Sequence, residues 1–441
     1  YQTTRHIFRY EALAPAAAKG KAEPLVRWRP LAPIARREEA QVEVSPFVGR
    51  ELDLGELVRL FERSRTSPST ELVTIVAEPG IGKSRLVREF RRHLDAVPDL
   101  VTWRLGRCLP YGDEISLRPL GEIVKAHAGM LDTDDQAILS AKLDAVLSEP
   151  DTTLRAWMKD RVGPLVGLSV EAAPPEQEEA FTAWRRFLEG IARSGPTVLV
   201  VEDLHWADPA LVAFLEHFLD HSAGLQILVV ATARPEVEER HPTWLARAHH
   251  ATVVSLTGLP DRAMAALLES SLPDTSPELR ETVVARAGGS PLYAEQLAAM
   301  LRDHRTPAGG ESLDEAAIPA TIQALLDARM DALPADARAV LVDASVVGRT
   351  FWSQAVAALG DREVADAEAL LAELAGRNLV RRVLPSTMAG ASEFRFVHAL
   401  VRDVAYAKLP RTARARRHAA AGGWLETAAP DRGQDLARHY A

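Results

Sequence analysis

The stretch AEPGIGKSRL, Ala77 to Leu86, decides how the rest of the chain is read. Gly80 and Gly82 free a turn from side-chain sterics, and Lys83 supplies a positive charge. Ser84 opens a run predicted as a helix over Ser84–Leu94, and the apolar run Leu72–Val76 before the turn predicts a strand. A strand, a glycine-rich turn and a helix N-terminus together aim backbone N–H groups into one concavity that holds phosphate. The lysine adds charge, and the hydroxyl ligates Mg²⁺. Ala77 stands where the usual pattern has glycine, and a methyl is tolerated there when φ is negative.

Such a loop works with an acidic group at the end of a neighbouring apolar strand. VLVVEDLHWADPAL places Glu202 and Asp203 directly after Val198–Val201. One carboxylate is expected to hold the hydration shell of Mg²⁺ and the other to polarise a water for attack on the γ-phosphate. The residue order does not assign the two roles, so the metal candidates are Ser84, Glu202 and Asp203 together. A third apolar run ends ILVVATARPE, where Arg234 is placed to reach the γ-phosphate from a strand tip. A surface arginine before a proline turn is the plainer reading of the same residue.

Outward from these segments, apolar strands alternate with helices: Val101–Leu105, Thr197–Val201, Ile227–Ala231 and a last strand Thr252–Leu256. Helices are expected over Glu51–Ser64, opened by Ser45-Pro46, and over Gln177–Arg193. Continuous apolar strands fit a parallel sheet with helices on both faces. After Gly258 helices dominate: Pro260–Ser270, Pro277–Ala287, Leu292–Arg302, then Ile318–Leu333 and Ala335–Val347 beyond a polar linker, Thr306–Ser312. Alternation over Asn378–Val383 and Glu393–Val397 predicts a hairpin, with helices at Ala399–Leu409 and Thr412–Ala428. Helices followed by a small hairpin predict a winged-helix unit. At the start, YQTTRHIFRYEAL fits a strand or a short helix, followed by a turn at Lys19-Gly20 and an extended stretch, Pro24–Leu31.

Composition narrows the function classes. The 441 residues carry a formal net charge of -9, against polyanion binding by the whole chain. One cysteine, Cys108, excludes an intrachain disulfide and a cysteine-based metal site, and fits a reducing cytoplasm. No apolar run approaches the ~18 residues that span a bilayer. The basic segment Arg411–His418 has little aromatic interleaving, so DNA is not an expected ligand of this chain. The chain begins at Tyr1 rather than at a methionine, as expected of an internal piece of a larger protein.

FVGRELDLGEL, AEPGIGKSRL, VEDLHWADPAL, ATARPE and GGSPLYAEQL, in this order, resemble the STAND class of P-loop ATPases, signal-transduction ATPases with numerous domains related to AAA+. The resemblance implies Walker A at Ala77–Ser84, Walker B at Val198–Asp203 and a sensor arginine at Arg234. It implies a nucleotide, ATP or ADP with Mg²⁺, bound by Gly80, Ile81, Gly82, Lys83, Ser84 and Arg85. Phe47, Val48, Gly49 and Arg50 would line the base, and Pro291 would pack near the adenine. FRFVHALVRDVAY resembles the winged-helix segment of the class, whose histidine, here His398, contacts the ADP β-phosphate. AAAKGKAEPLVRWRPL resembles the last strands of a class III nucleotidyl cyclase domain, and LARHYA the opening of a tetratricopeptide array.

The implied division is a cyclase-like tail and linker (1–44), a P-loop nucleotide-binding domain (45–257), a helical lid (258–312), a winged-helix-like domain (313–410) and the start of a helical region (411–441). The implied function is an ATP/ADP switch with slow ATP hydrolysis in a bacterial, cytoplasmic signalling protein. Its expected partners are nucleotide, a cyclase upstream, helical repeats downstream, protein partners and a nucleotide-dependent oligomer, with no membrane. A DNA-binding transcription regulator of the same class and a non-hydrolysing scaffold are the alternatives. The cyclase core is absent, so cyclase activity is not expected of this chain.

Overall fold

A computed structural model describes residues 8–16, 25–33, 45–109, 117–169, 176–246, 251–273, 275–304, 319, 321–384 and 386–428. The turn expected at Lys19-Gly20, the linkers around 34–44 and Thr306–Ser312, and the closing LARHYA lie outside these residues. β1 (Phe8–Ala16) and β2 (Leu25–Pro33) pair antiparallel, so the opening segment left between strand and helix is strand where described.

α1 (Glu51–Thr66) starts after Arg50 rather than at Ser45-Pro46, because Phe47 and Val48 are used in packing against two different apolar clusters. It buries Leu57, Leu60 and Phe61 against β3 (Thr70–Val76), a strand buried along its whole length. α2 (Lys83–Ala96) turns Leu86, Val87, Phe90 and Leu94 to the same core. β4 (Thr102–Arg107) follows. Then comes a helical layer that the sequence did not announce: α3 (Arg118–Ala128), α4 (Gln136–Val146) and α5 (Thr152–Val162). Its start signals are local. Asp135 accepts from Ile138 N–H at 2.8 Å, and Asp151 accepts from Thr153 N–H at 2.8 Å, each capping the helix that follows.

α6 (Gln177–Ala192), β5 (Thr197–Glu202), α7 (Pro209–His221), β6 (Ile227–Ala233), α8 (Val237–Arg240), α9 (Pro242–Ala246) and β7 (Ala251–Ser255) complete the sheet and its cover. The five strands run parallel in the order β4-β5-β6-β3-β7. Alternate residues serve opposite faces: Val198 and Val200 pack with Phe61 and Phe90, whereas Leu199 and Val201 pack with Phe181 and Phe214. This double covering is why the strands are continuously apolar. One expectation is corrected here. The acidic strand β5 does not adjoin the phosphate-loop strand β3, because β6 pairs with both and lies between them.

Beyond the sheet, α10 (Asp261–Ser271), α11 (Pro277–Ala287) and α12 (Pro291–His304) share a core of Met264, Leu268, Val283 and Leu297. A second core holds α13 (Ile322–Asp331), α14 (Ala335–Val347), β8 (Thr350–Trp352), α15 (Ser353–Gly360), α16 (Val364–Gly376), β9 (Val380–Val383), β10 (Glu393–Phe396), α17 (Ala399–Ala407) and α18 (Arg411–Ala428). β9 and β10 form the expected hairpin. β8, α15 and α16 were not read from the sequence; the three residues of β8 are too few for a period to register, and β8 joins β10 to give an antiparallel order β8-β10-β9.

Candidate nucleotide site

The loop after β3 has the backbone its sequence requires. Gly80 and Gly82 sit at φ 84 and 110, in the left-handed region, and Gly82 caps α2. A side chain at Gly80 would also meet Leu292, since a Cβ there would lie 3.1 Å from Leu292 Cβ. Ala77 is not among the positive-φ residues. Its methyl is buried in the core, and its N–H extends the ladder to Ala233 O at 3.2 Å. The departure from glycine therefore adds packing without strain. Lys83 Nζ donates to Ala77 O and, at 3.2 Å, to Glu78 O. Burial pulls its pKa down to about 8, against the opposing attraction of Asp203.

A cavity of about 840 Å³ opens over this loop. It is lined by the loop residues Gly80, Ile81, Gly82, Lys83, Ser84 and Arg85, and by Phe47, Val48 and Arg50 from the entry segment. Glu202, Asp203 and Arg234 line it from the strand ends, and Pro291 and His398 from the two C-terminal units. Gly49 is the one predicted contact that does not line it. At φ 71 it packs under the helical unit, where a Cβ would come within 2.6 Å of Ala263 Cβ. Arg50 ties this segment down by donating to Ile81 O at 3.4 Å and to Thr257 O. Arg85 donates to Ser45 O at 3.0 Å.

The two adjacent carboxylates face different surroundings. Glu202 is buried, and its Oε2 accepts from Arg107 Nε at 2.5 Å, with Arg395 Nη2 at 3.7 Å. Asp203 leaves β5 in a left-handed turn (φ 59), is partly exposed, and pairs its Oδ2 with Arg349 Nη1 at 2.9 Å. Its N–H donates to Thr232 Oγ1 at 3.1 Å, which fixes the turn to β6. Arg234 follows β6, so the sheet order places it between the phosphate loop and the acidic strand end. Its N–H donates to His205 Nδ1 at 3.3 Å.

Both histidines near the site are held neutral. Burial lowers His205 to about 4, and its Nε2 has no hydrogen-bond partner among the described residues. Burial, with Arg349, Lys83 and Arg234 nearby, lowers His398 to about 3. His398 Nδ1 accepts from Leu400 N–H at 3.2 Å and so caps α17. Leu292 N–H donates to Gly80 O at 3.3 Å, a direct bond from α12 to the phosphate loop.

These features fit a Mg²⁺ nucleotide: a loop whose Gly80 and Gly82 hold left-handed backbone, a desolvated lysine, a hydroxyl at the start of α2 and a reachable carboxylate. A family model described as an AAA ATPase domain matches residues 46–230. This segment is thus similar to AAA-type P-loop ATPase domains. An uncharacterized protein of Rhizobium meliloti (strain 1021) is 27% identical over 394 residues, which cover 85% of this chain and 36% of that protein. A Signal Transduction ATPase with Numerous Domains (STAND) protein with a tetratricopeptide repeat sensor, from Pyrococcus horikoshii, is similar in fold. Its TM-score is 0.52 at 16% identity, over 91% of this chain and 49% of its own. The chain thus spans between a third and a half of the length of these relatives. The residues around the ATPase domain's site that sequence reasoning missed are Arg107, His205, Arg349 and Arg395. His205 and Arg107 adjoin motif strands and Arg395 lies within FRFVHALVRDVAY, usable signals; nothing local marks Arg349.

Proposed function

We propose that the chain is the nucleotide-controlled regulatory module of a multidomain signalling protein, binding ATP or ADP with Mg²⁺ and hydrolysing ATP slowly. The observation that carries this reading is a single cavity lined from three units: Lys83 and Asp203 of the ATPase domain, Pro291 and Leu292 of α12, and Arg349 and His398 beyond. A ligand enclosed by three packed bodies shifts their arrangement by its differential affinity for the open and closed forms.

In this reading the backbone of Gly80–Ser84 and the Lys83 ammonium bind the phosphates, and Arg234 stabilises charge on the γ-phosphate. Asp203 and Ser84 hold the metal's shell, because Asp203 is the carboxylate paired electrostatically with Lys83. Glu202 fixes the end of β5 through Arg107. Mg²⁺, when bound with nucleotide, supplies neutralisation of phosphate charge. Phe47, Val48 and Pro291 sit by the base. The domain boundaries given above are part of the proposal. So are a winged-helix identity for α14 to β10, a cyclase domain before β1, repeats after α18, a bacterial cytoplasmic setting and nucleotide-dependent association with protein partners. The helix-sheet order of α14 to β10 supports the winged-helix reading.

Calorimetric titration of ATP and ADP into the wild type and Lys83→Ala tests the site. Binding that is lost in the variant supports it, and undiminished binding removes the assignment. Phosphate release measured in Asp203→Asn at saturating ATP tests the chemistry, with slower turnover expected.

A further inference from the structure

Arg349 stands after Gly348 (φ 152) at the start of β8, and its carbonyl accepts from Phe396 N–H at 3.0 Å. It reaches back across 146 residues to Asp203 Oδ2 at 2.9 Å. The pair is one of the direct polar links between the C-terminal unit and the strand end that carries the acidic residues. It is partly accessible, with the two side chains 19% and 27% exposed. Glu202 does not stand in for Asp203 here, because Arg107 and Arg395 already face it.

A guanidinium on Asp203 Oδ2 offsets part of the carboxylate's charge and holds its orientation, so it weakens that group's attraction for a divalent cation without excluding one. We propose that Arg349 sets the metal dependence of nucleotide binding. Resting on the function above, Arg349 competes with Mg²⁺ for the Asp203 carboxylate. Metal-loaded nucleotide and the contact between β8 and the ATPase domain therefore oppose one another. Metal-free nucleotide needs only the loop backbone and Lys83, and leaves the pair in place. Lys83 and Arg234 add positive charge beside the pair, whereas neutral His398 adds none. Because coupling is reciprocal, weakening the pair raises affinity for the metal-loaded form by the factor the pair contributes.

The test is calorimetry on the 441-residue chain with ATP in Mg²⁺ and with ATP in EDTA, for wild type, Arg349→Gln and Arg349→Lys. Arg349→Gln is expected to bind Mg²⁺-ATP about 1.5–5-fold more tightly, the range for a partly exposed charged pair. Metal-free ATP is expected to bind unchanged, and Arg349→Lys to fall between wild type and Arg349→Gln. A second readout is the distance between spin labels on α7 and α16. It should lengthen with Mg²⁺-ATP in wild type, and less so with ATP in EDTA. Equal changes in the two affinities, or none, would overturn the role of Arg349 while ATP binding itself stands. Absence of ATP binding in wild type would overturn the nucleotide reading and this inference with it. Thermal unfolding of each variant separates these outcomes from misfolding.

Discussion

Arg107 Nε meets Glu202 Oε2 at 2.5 Å across the β4–β5 pair, with both side chains only 7% exposed. The two residues are opposite one another in the parallel register, so the sheet itself sets the pair. Removing one partner leaves a charge in a site with little water. Arg395 still faces Glu202, so Arg107→Ala is expected to cost ~1–3 kcal/mol of stability, with Arg107→Ala/Glu202→Gln recovering part of it. Guanidinium denaturation measures both, and a single-variant loss below ~1 kcal/mol would contradict the pair's role.

Lys83 gives a proton signature to nucleotide binding. Its pKa is lowered to about 8 in the folded chain, so near pH 8.5 much of it is neutral. Phosphate favours the ammonium and raises that pKa, so binding takes up protons. Titrations in buffers of different ionisation enthalpy are expected to show net uptake near pH 8.5 and little at pH 6.5. Proton release near pH 8.5 would contradict the assignment.

His205 makes the fold acid-sensitive. Its folded pKa, about 4, lies below the ordinary 6.5, so the unfolded chain binds the extra proton between those values. Stability is then present above pH 6.5 and falls as pH drops towards 4. His205→Gln is expected to flatten the stability profile in this window. Thermal melts at pH 7, 6, 5 and 4.5 read it, and parallel profiles for variant and wild type would count against the burial argument.

Gly49 tests how the helical unit seats on the ATPase domain. Gly49→Ala must adopt φ 71 and place a methyl 2.6 Å from Ala263 Cβ. A loss of about 1–3 kcal/mol is expected from backbone strain and the clash. Pairing it with Ala263→Gly should restore the contact-dependent part. Urea unfolding of the two single variants and the double variant measures the coupling, and simple additivity would show that the contact is not shared.

Much of the ATPase domain was legible because its signals are local. A strand's apolar run, a glycine turn and a helix start are encoded within Leu72–Leu86, and the ends of β5 and β6 are signalled as locally. α4 and α5 were not read, although Asp135 and Asp151 mark their starts, because aspartate caps without a strong apolar stripe resemble loop residues. The Gly49 and Arg50 pair shows the boundary well. Arg50 lines the cavity and also holds the loop, whereas Gly49 packs under the helical unit.

By itself the sequence determined that Lys83, Glu202, Asp203 and Arg234 end up at the same edge of a parallel sheet, since each follows its strand's carboxyl end. Only the tertiary structure decided that β6 separates β3 from β5, that Glu202 turns to Arg107, and that Asp203 turns to Arg349. The physical reason is range. Backbone conformation and periodicity are written in neighbouring residues, whereas strand order and charge pairing join partners 95 and 146 residues apart. Those partners meet only once the sheet and the unit carrying β8 have packed.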